Sequence, residues 1–267
     1  MIARTLTIAG SDSGGGAGIQ ADIKTFQELE TFGMSAITAI TAQNTLGVQK
    51  VYPLAPEAAA EQIHSVATDL GVDATKTGML ATADIVKTVA QKIREFGLFP
   101  LVVDPVMVST SGHVLLDEDA RIVYKKELIP LASVVTPNLP EAEVLTGLSL
   151  ADPDSRRQAA RMFVEWGAKA VVIKGGHGNE STADDLYYDG EEFSVLSAPR
   201  FDTKQTHGTG CTFSAAITAF LAKGASTYDA VKQAKEFITA AISHPLNLGR
   251  GHGPTNHFAY RHRRENR

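Results

Sequence analysis

The sequence predicts an α/β fold with a mainly parallel central sheet and helices on both of its faces. Short apolar, β-branched runs alternate with segments whose apolar residues recur at helical spacing. No repeat, linker or low-complexity segment interrupts the 267 residues. Because this alternation is typical of βαβ units, we expect a parallel sheet covered by helices, in one domain spanning residues 1–267.

The first half of the chain opens with a strand at residues 5–9, a glycine-rich loop and a helix from residue 19 up to Gly33. Pro56 suits the first turn of a helix, and Gly97 is a C-cap candidate. The elements that follow the first helix are a strand at 34–41, a helix at 56–70, a strand at 74–77, a helix at 83–96 and a strand at 101–103.

The second half continues the alternation. Asp152 and Pro153 pair an N-cap candidate with a first-turn proline, and Asp189-Gly190 is a turn signal within a hairpin. The expected elements are a helix at 117–128, a strand at 133–136, a helix beginning at 141–146, a helix from 153 to 166, a strand at 170–173, a hairpin at 186–196 and helices at 213–223 and 227–243.

The composition excludes several classes of protein. Its 43% hydrophobic and 21% charged residues are ordinary for a soluble globular chain, and a net charge of −5 disfavours general nucleic-acid binding. One cysteine excludes an internal disulfide and fits a reducing compartment. Neither a signal pattern nor a membrane-spanning apolar run is present. We therefore expect a cytoplasmic protein that binds neither nucleic acid nor membrane, with the basic run 261–264 as a frayed terminus.

Chemistry-bearing residues follow the predicted strands. Ligands of parallel α/β sheets bind beyond the carboxyl ends of the strands. The residues at or just after a predicted strand end are Gly10, Gln43, Met79, Asp104, Asn138 and Lys174. The sequence therefore predicts one cleft that collects them.

The loop 206–212 precedes the apolar helix at 213–223 and contains Gly208 and Gly210. Its backbone N–H groups lie at a helix N-terminus, which favours an anion, and a thiol such as Cys211 tends to have a lowered pKa there. Cys211 has three interpretations: a small buried hydrophobe, a hydrolase nucleophile paired with His207, or a base that accepts a substrate hydroxyl proton. We favour the base, because phosphoryl transfer uses the whole loop.

Three further groups have a functional and a structural interpretation. The oxygen atoms of Asp104, Asn138 and Glu141 could bind Mg²⁺. Alternatively, Asp104 stabilises the turn before Pro105, and Asn138 caps a helix together with Glu141. Lys174, which precedes Gly175-Gly176, could bind a phosphate through its charge and the neighbouring backbone N–H groups, or it could belong to a solvent-exposed turn. The glycine-rich run at 14–18 lacks the ending of a Walker A motif and predicts a wall against a ligand, with a flexible turn as the alternative.

Several motifs, in order along nearly the whole chain, resemble those of the ribokinase superfamily. The sequence is most similar to its hydroxymethylpyrimidine/phosphomethylpyrimidine kinases of thiamine biosynthesis. The segments that carry the resemblance are AGSDSGGGAGIQAD at 9–22, TAQNT at 41–45, KTGML at 76–80, DPVM at 104–107, TPNLPE at 136–141 and THGTGC at 206–211. Cys211 stands where the superfamily commonly has an aspartate base, as it does in these kinases and in some related pyridoxal kinases.

The resemblance implies a three-layer α/β/α ribokinase-like domain that uses ATP and Mg²⁺ for two successive phosphorylations. It also implies a homodimer and a loop at 109–113 that folds over the substrate. The resemblance implies substrate binding for Gly10, Ala17, Asp22, Gln43, Met79 and Val106, with Asp22 near the reacting hydroxymethyl group. It implies an anion hole from Gly208, Thr209 and Gly210, nucleotide phosphate binding for Lys174 and proton acceptance by Cys211. It also implies that Asn138 and Glu141 organise Mg²⁺, in agreement with the carboxylate group that contains Asp104.

Two other kinds of function remain open at this point. The related pyridoxal or pyridoxine kinases share most of the motifs, but an amide such as that of Gln43 offers both a donor and an acceptor to an aminopyrimidine edge. A Cys-dependent hydrolase would act without ATP, and a non-catalytic nucleotide sensor would bind ATP without turnover.

Overall fold

A computed structural model describes residues 1–107, 118–177 and 182–261. The loop at 109–113 and residues 262–264 of the basic run lie outside this part of the chain. The described residues form a nine-stranded sheet in the order β3-β2-β1-β4-β5-β6-β7-β8-β9. The strands are β1 (Arg4–Asp12), β2 (Phe32–Asn44), β3 (Gly47–Pro53), β4 (Ala74–Thr77), β5 (Leu101–Val103), β6 (Val134–Val135), β7 (Val171–Ile173), β8 (Thr182–Tyr188) and β9 (Phe193–Pro199).

The central strands β2, β1, β4, β5, β6 and β7 run parallel to one another. At the two edges of the sheet, β3 is antiparallel to β2, β8 is antiparallel to β7, and β9 is antiparallel to β8. Successive side chains of a strand point to opposite faces. In β5, Leu101 and Val103 belong to one apolar core and Val102 to the other. Both faces of the sheet are therefore buried, which explains the continuous apolar runs of the central strands.

Helices cover each face. One core contains residues of α2 (Pro56–Asp69), α3 (Ala83–Phe96), α4 (Glu118–Val123), α5 (Leu139–Thr146) and α6 (Pro153–Glu165). The other contains residues of α1 (Gly18–Glu28), α7 (Thr209–Ala222) and α8 (Thr227–Ser243). This arrangement confirms the expected three-layer α/β/α class. No helix among the described residues has the length and apolar character that crossing a membrane requires.

The structure corrects several expected elements. β3 was not predicted, because its side chains are largely exposed at the sheet edge and leave no alternating apolar pattern. The helix expected at 117–128 is interrupted by a π-helical turn at Tyr124–Leu128 and continues as a 3₁₀ turn at Ile129–Leu131. α7 begins at Thr209, four residues before the expected start at residue 213, so the glycine loop forms its first turn.

Candidate active site

A cavity of about 680 Å³ lies beside the carboxyl ends of the central strands. It brings together all but one of the residues that the sequence selected. Its lining includes Gly10, Ala17, Gln43, Met79, Asp104, Val106, Asn138, Glu141, Lys174, Gly208, Thr209, Gly210 and Cys211, and Asp22 is the exception. The roles of these residues stay predictions, which the geometry below supports to different degrees.

The glycine-rich wall of the cavity is organised by Asp12, the last residue of β1. Its carboxylate accepts N–H bonds from Gly14 at 2.7 Å, Gly16 at 3.1 Å and Ala17 at 2.8 Å. Burial opposes the charge of Asp12, but a hydrogen bond from His207 and these amides hold its pKa below the ordinary value. The run at 14–18 is thus fixed by one buried carboxylate, which supports the ligand-wall interpretation.

A second glycine loop meets this wall at the start of α7. Gly208 has φ 78° and lies against the carbonyl oxygen of Gly16, so that a Cβ atom at position 208 would overlap that oxygen. The side chain of Thr209 donates to the carbonyl of Thr206 at 2.7 Å. Because the first N–H groups of a helix lack intrahelical partners, this end of α7 offers donors to an anion in the cavity.

Cys211 is partly exposed, but its surroundings disfavour the thiolate. Burial raises the pKa of the thiol to about 11, although Lys76 and the backbone N–H of Gly18 oppose this rise, and the carboxylates of Asp22 and Asp104 add to it. The expectation of a lowered pKa is therefore wrong. Desolvation and two nearby anions outweigh the helix N-terminus.

His207 belongs to the substrate wall rather than to Cys211. Its Nε2 atom lies 2.8 Å from Oδ2 of Asp12 and 3.2 Å from Nε2 of Gln43. Both contacts use the same ring nitrogen, and the hydrogen bonds found among the described residues do not join His207 to Cys211. This geometry does not support a Cys–His hydrolase.

Asp22, for which substrate binding is predicted, does not line the cavity. Its carboxylate is fully buried, with the ammonium group of Lys76 2.9 Å from each oxygen and the hydroxyl of Thr7 at 2.6 Å. Asp22 lies on the buried face of α1, and Lys76, which is itself buried, reaches the cavity wall in its place. Burial opposes the charge of Lys76, but the carboxylate of Asp22 holds its pKa above the ordinary range.

Asp104 and Lys174 form an ion pair of 2.9 Å on the wall of the same cavity. Asp104 also accepts hydroxyl bonds of 3.2 Å from Thr136 and from Ser214. Burial opposes the charge of Asp104, but Lys174 and Lys76 hold its pKa below the ordinary value. Lys174 therefore has one carboxylate partner and also faces the space in which a phosphate would lie.

Asn138 and Glu141 form a capping box at the start of α5. The side chain of each accepts the backbone N–H of the other at 2.8 Å, which is the structural interpretation of this pair. Burial raises the pKa of Glu141 to about 7; Lys174 opposes the rise and Asp104 adds to it. A divalent cation would relieve this crowding of carboxylates, so the oxygen donors fit Mg²⁺. The described residues contain no cluster of three or more His, Cys, Asp or Glu suited to a metal, so phosphate and water would complete the coordination.

Sequence reasoning gave no role to Asp12 and Lys76, and it considered His207 only as a partner of Cys211. Asp12, Lys76 and His207 are buried and join segments far apart in the chain. In the sequence, only the position of Asp12 and Lys76 near strand ends could have indicated that they belong to the site. An apolar section of the wall was also missed, because its members come from two helices, the end of β9 and a loop. It comprises Val144, Pro199, Phe201 and Ile242.

The sheet topology and the helix N-terminus with an adjacent Lys–Asp pair define a small-molecule kinase of the ribokinase-like class. Comparison with known proteins makes this specific: the model of the phosphomethylpyrimidine kinase family matches residues 12–256. The chain belongs to this family.

Two curated relatives match nearly its full length. The chain is 54% identical to the hydroxymethylpyrimidine/phosphomethylpyrimidine kinase of Bacillus subtilis, over 97% of this chain and 96% of the relative. It is 53% identical to the enzyme of the same name from Haemophilus influenzae, over 97% of this chain and 98% of the relative.

Solved structures include two kinds of vitamin kinase. The ADP complex of a Bacillus subtilis pyridoxal kinase superposes with a TM-score of 0.91 and 45% identity, covering 98% of this chain and 99% of the other. A phosphomethylpyrimidine kinase from Clostridium difficile gives a TM-score of 0.81 and 43% identity, covering 91% of this chain and 100% of the other. The likeness confirms the ribokinase-like fold and the class of kinase.

Proposed function

We propose that this chain transfers the terminal phosphoryl group of ATP to the hydroxymethyl group of 4-amino-5-hydroxymethyl-2-methylpyrimidine, and then phosphorylates the monophosphate to the pyrophosphate. One observation carries the proposal. A single cavity is lined by the amide of Gln43, the thiol of Cys211 and the N-terminus of α7. Recognition of an aminopyrimidine, removal of a hydroxyl proton and binding of a phosphate can therefore occur together. Family membership supports the same substrate.

The first step moves one proton and one phosphoryl group. The hydroxymethyl oxygen attacks the terminal phosphorus of ATP and ADP leaves, while Sγ of Cys211, in its thiolate form, accepts the hydroxyl proton. The amides at Gly208 and Gly210 stabilise charge on the transferring group, whereas the predicted third donor, the N–H of Thr209, donates to the carbonyl of Thr206 at 3.2 Å. Lys174 binds nucleotide phosphate. In the second step a phosphate oxygen of the monophosphate is the nucleophile, so proton removal becomes less important.

Mg²⁺ is the cofactor that we propose for this site. Asp104 and Glu141 would hold it together with phosphate and water, and it would neutralise charge on the nucleotide phosphates when bound. Asn138 would act through Glu141, since the capping box fixes where that carboxylate lies.

A pyridoxal kinase activity is the second candidate, because structural neighbours that share 41–45% identity and a TM-score of 0.91 with this chain are named pyridoxal kinases. An ATP-consumption assay with the pyrimidine, its monophosphate and pyridoxal in parallel separates the two. We expect the highest kcat/KM for the two pyrimidines. A higher kcat/KM for pyridoxal would overturn the proposed substrate. The expected homodimer also stays a proposal, which sedimentation velocity tests.

A further inference from the structure

The amide of Gln43 contacts two neighbours that restrict its orientation. Its Nε2 atom lies 3.2 Å from Nε2 of His207, and its Oε1 atom lies 3.1 Å from the hydroxyl of Thr41. The oxygen and nitrogen of an amide have nearly the same shape, so the hydrogen-bond network decides which atom faces which neighbour.

The ring of His207 is a donor toward Gln43. Its Nε2 atom is 2.8 Å from Asp12, whose pKa lies below the ordinary value, so this partner is an acceptor-only carboxylate. Nε2 of His207 must therefore carry a proton. A protonated ring nitrogen cannot accept a hydrogen bond from an amide NH₂ group, so we assign the Gln43 oxygen to the His207 side, where it shares the single Nε2–H with Asp12 as the longer of the two contacts.

Thr41 is compatible with the same orientation. Its hydroxyl lies 2.9 Å from the carbonyl oxygen of Ser11 and 3.1 Å from Oε1 of Gln43, and its single proton can be donated to only one of them. We assign that proton to Ser11, which is the shorter contact and can only accept. Toward Gln43 the hydroxyl is then an acceptor, which places the amide nitrogen on the Thr41 side. Rotation of the terminal amide by 180° satisfies both neighbours at once.

The backbone around His207 keeps the imidazole in place. The N–H of His207 donates to Gly253 at 3.0 Å, and its carbonyl accepts from Thr255 at 3.3 Å. A Cβ atom on Gly16 would lie 2.6 Å from Cδ2 of the ring, so the glycine wall leaves space for this side chain alone. The imidazole of His207 is thus held by its own backbone and by the glycine-rich wall.

We infer that His207, oriented by Asp12, is a positioning residue that fixes the Gln43 amide and thereby selects a 4-aminopyrimidine over its 4-oxo analogue. This inference rests on the proposed function, in which Gln43 meets the pyrimidine edge. The fixed amide presents an acceptor on the His207 side and a donor on the Thr41 side. An aminopyrimidine offers the matching donor and acceptor, whereas a 4-oxopyrimidine offers them reversed.

The test compares kcat/KM for 4-amino-5-hydroxymethyl-2-methylpyrimidine and its 4-oxo analogue. In the wild type we expect a preference for the amino compound of about 10³-fold or more, since a buried mismatch leaves polar groups unpaired. His207→Phe removes the ring donor and Thr41→Val removes the hydroxyl acceptor. Each should reduce the preference by about tenfold or more, with KM for ATP changed less than about twofold.

His207→Gln keeps an N–H donor and should retain most of the preference. Thr41→Val is nearly isosteric, so this variant still tests whether the orientation of the Gln43 amide sets the preference if His207→Phe does not fold. An unchanged preference in Thr41→Val and in every folded His207 variant would overturn the inference. So would equal increases of KM for both substrates and ATP, which indicate only a loosened loop.

Gln43→Leu separates this inference from the proposed function. If it abolishes the preference while the His207 and Thr41 variants keep it, the inference fails and the pyrimidine site stands. If Gln43→Leu changes neither KM nor the preference, the proposed contact fails and the inference fails with it.

Discussion

Lys76 and Asp22 form an ion pair of 2.9 Å whose two side chains have no solvent-exposed surface. Its charges act on Cys211 in opposite senses, because the ammonium group of Lys76 favours the thiolate and the carboxylate of Asp22 disfavours it. Asp22 does not line the cavity, but its charge is felt at Cys211 both directly and through Lys76.

Lys76→Met should destabilise the fold and suppress the thiolate. It leaves Asp22 buried without its partner, which costs about 3–5 kcal/mol of unfolding free energy. Urea denaturation measures this loss, and the double variant Lys76→Met with Asp22→Leu should recover most of it. Because Cys211 is the only cysteine of the chain, alkylation by iodoacetamide reports its thiolate. Alkylation at pH 9 should be slower in folded Lys76→Met; a rate equal to that of the wild type would contradict the electrostatic link.

Cys211→Ala should lower kcat for the hydroxymethylpyrimidine about 10²- to 10⁴-fold, the usual effect of losing a general base. ATP binding, measured by calorimetry, should persist because the helix N-terminus is intact. Cys211→Ser should behave like Cys211→Ala, since a serine hydroxyl is a weaker proton acceptor at these pH values. Near-normal turnover in Cys211→Ala would remove Cys211 from the mechanism.

The pH profile tests the same residue differently. A pKa of about 11 leaves Cys211 protonated at neutral pH, so kcat/KM should increase with pH from 7 to 10 by about tenfold per unit. In Cys211→Asp the base is already ionised over this range, so the profile should become flat. A wild-type profile that is itself flat would show that Cys211 does not limit proton removal.

Gln43→Leu should raise KM for the pyrimidine by about tenfold or more and leave KM for ATP nearly unchanged, because it removes hydrogen bonds at one end of the cavity only. Gln49→Leu on the exposed strand β3 is the matched control and should change neither value. Steady-state kinetics with each substrate varied in turn measure both. An equal rise in both KM values would place Gln43 outside substrate recognition.

Activity should disappear in excess chelator and return with added Mg²⁺. Glu141→Gln removes the charge but retains a side-chain acceptor for the capping box, so α5 should remain capped. We expect it to raise the Mg²⁺ concentration for half-maximal activity about tenfold. Glu143→Gln, in the same helix but outside the cavity lining, is the control. Turnover that persists without any divalent ion would refute the metal site.

Local signals predicted much of the fold. The helix at Ala83–Phe96 with its Gly97 cap agrees with the structure, because capping and periodicity point the same way. The strand-end residues from Gly10 to Lys174 could be grouped in advance, since parallel topology places strand carboxyl ends at one edge. β3 lacked a signal because it is an exposed edge strand.

The site was harder to predict where side chains pair with partners that are far away in the sequence. Asp22 occurs in a glycine-loop motif, and only the tertiary structure shows that its carboxylate turns to Lys76, 54 residues away. His207 raised the possibility of a hydrolase by its nearness to Cys211 in sequence, yet its partner Asp12 is 195 residues away. The raised pKa of Cys211 also depends on burial and on carboxylates from other segments, which helix position alone does not reveal.

The most direct test of the central proposal is ³¹P NMR of one reaction that contains the purified protein, ATP, Mg²⁺ and 4-amino-5-hydroxymethyl-2-methylpyrimidine. We predict the successive appearance of a phosphomonoester and then a pyrophosphate ester of the pyrimidine, with ADP formed in each step. ATP that remains unconsumed, or ADP and inorganic phosphate without either ester, would contradict the proposed function.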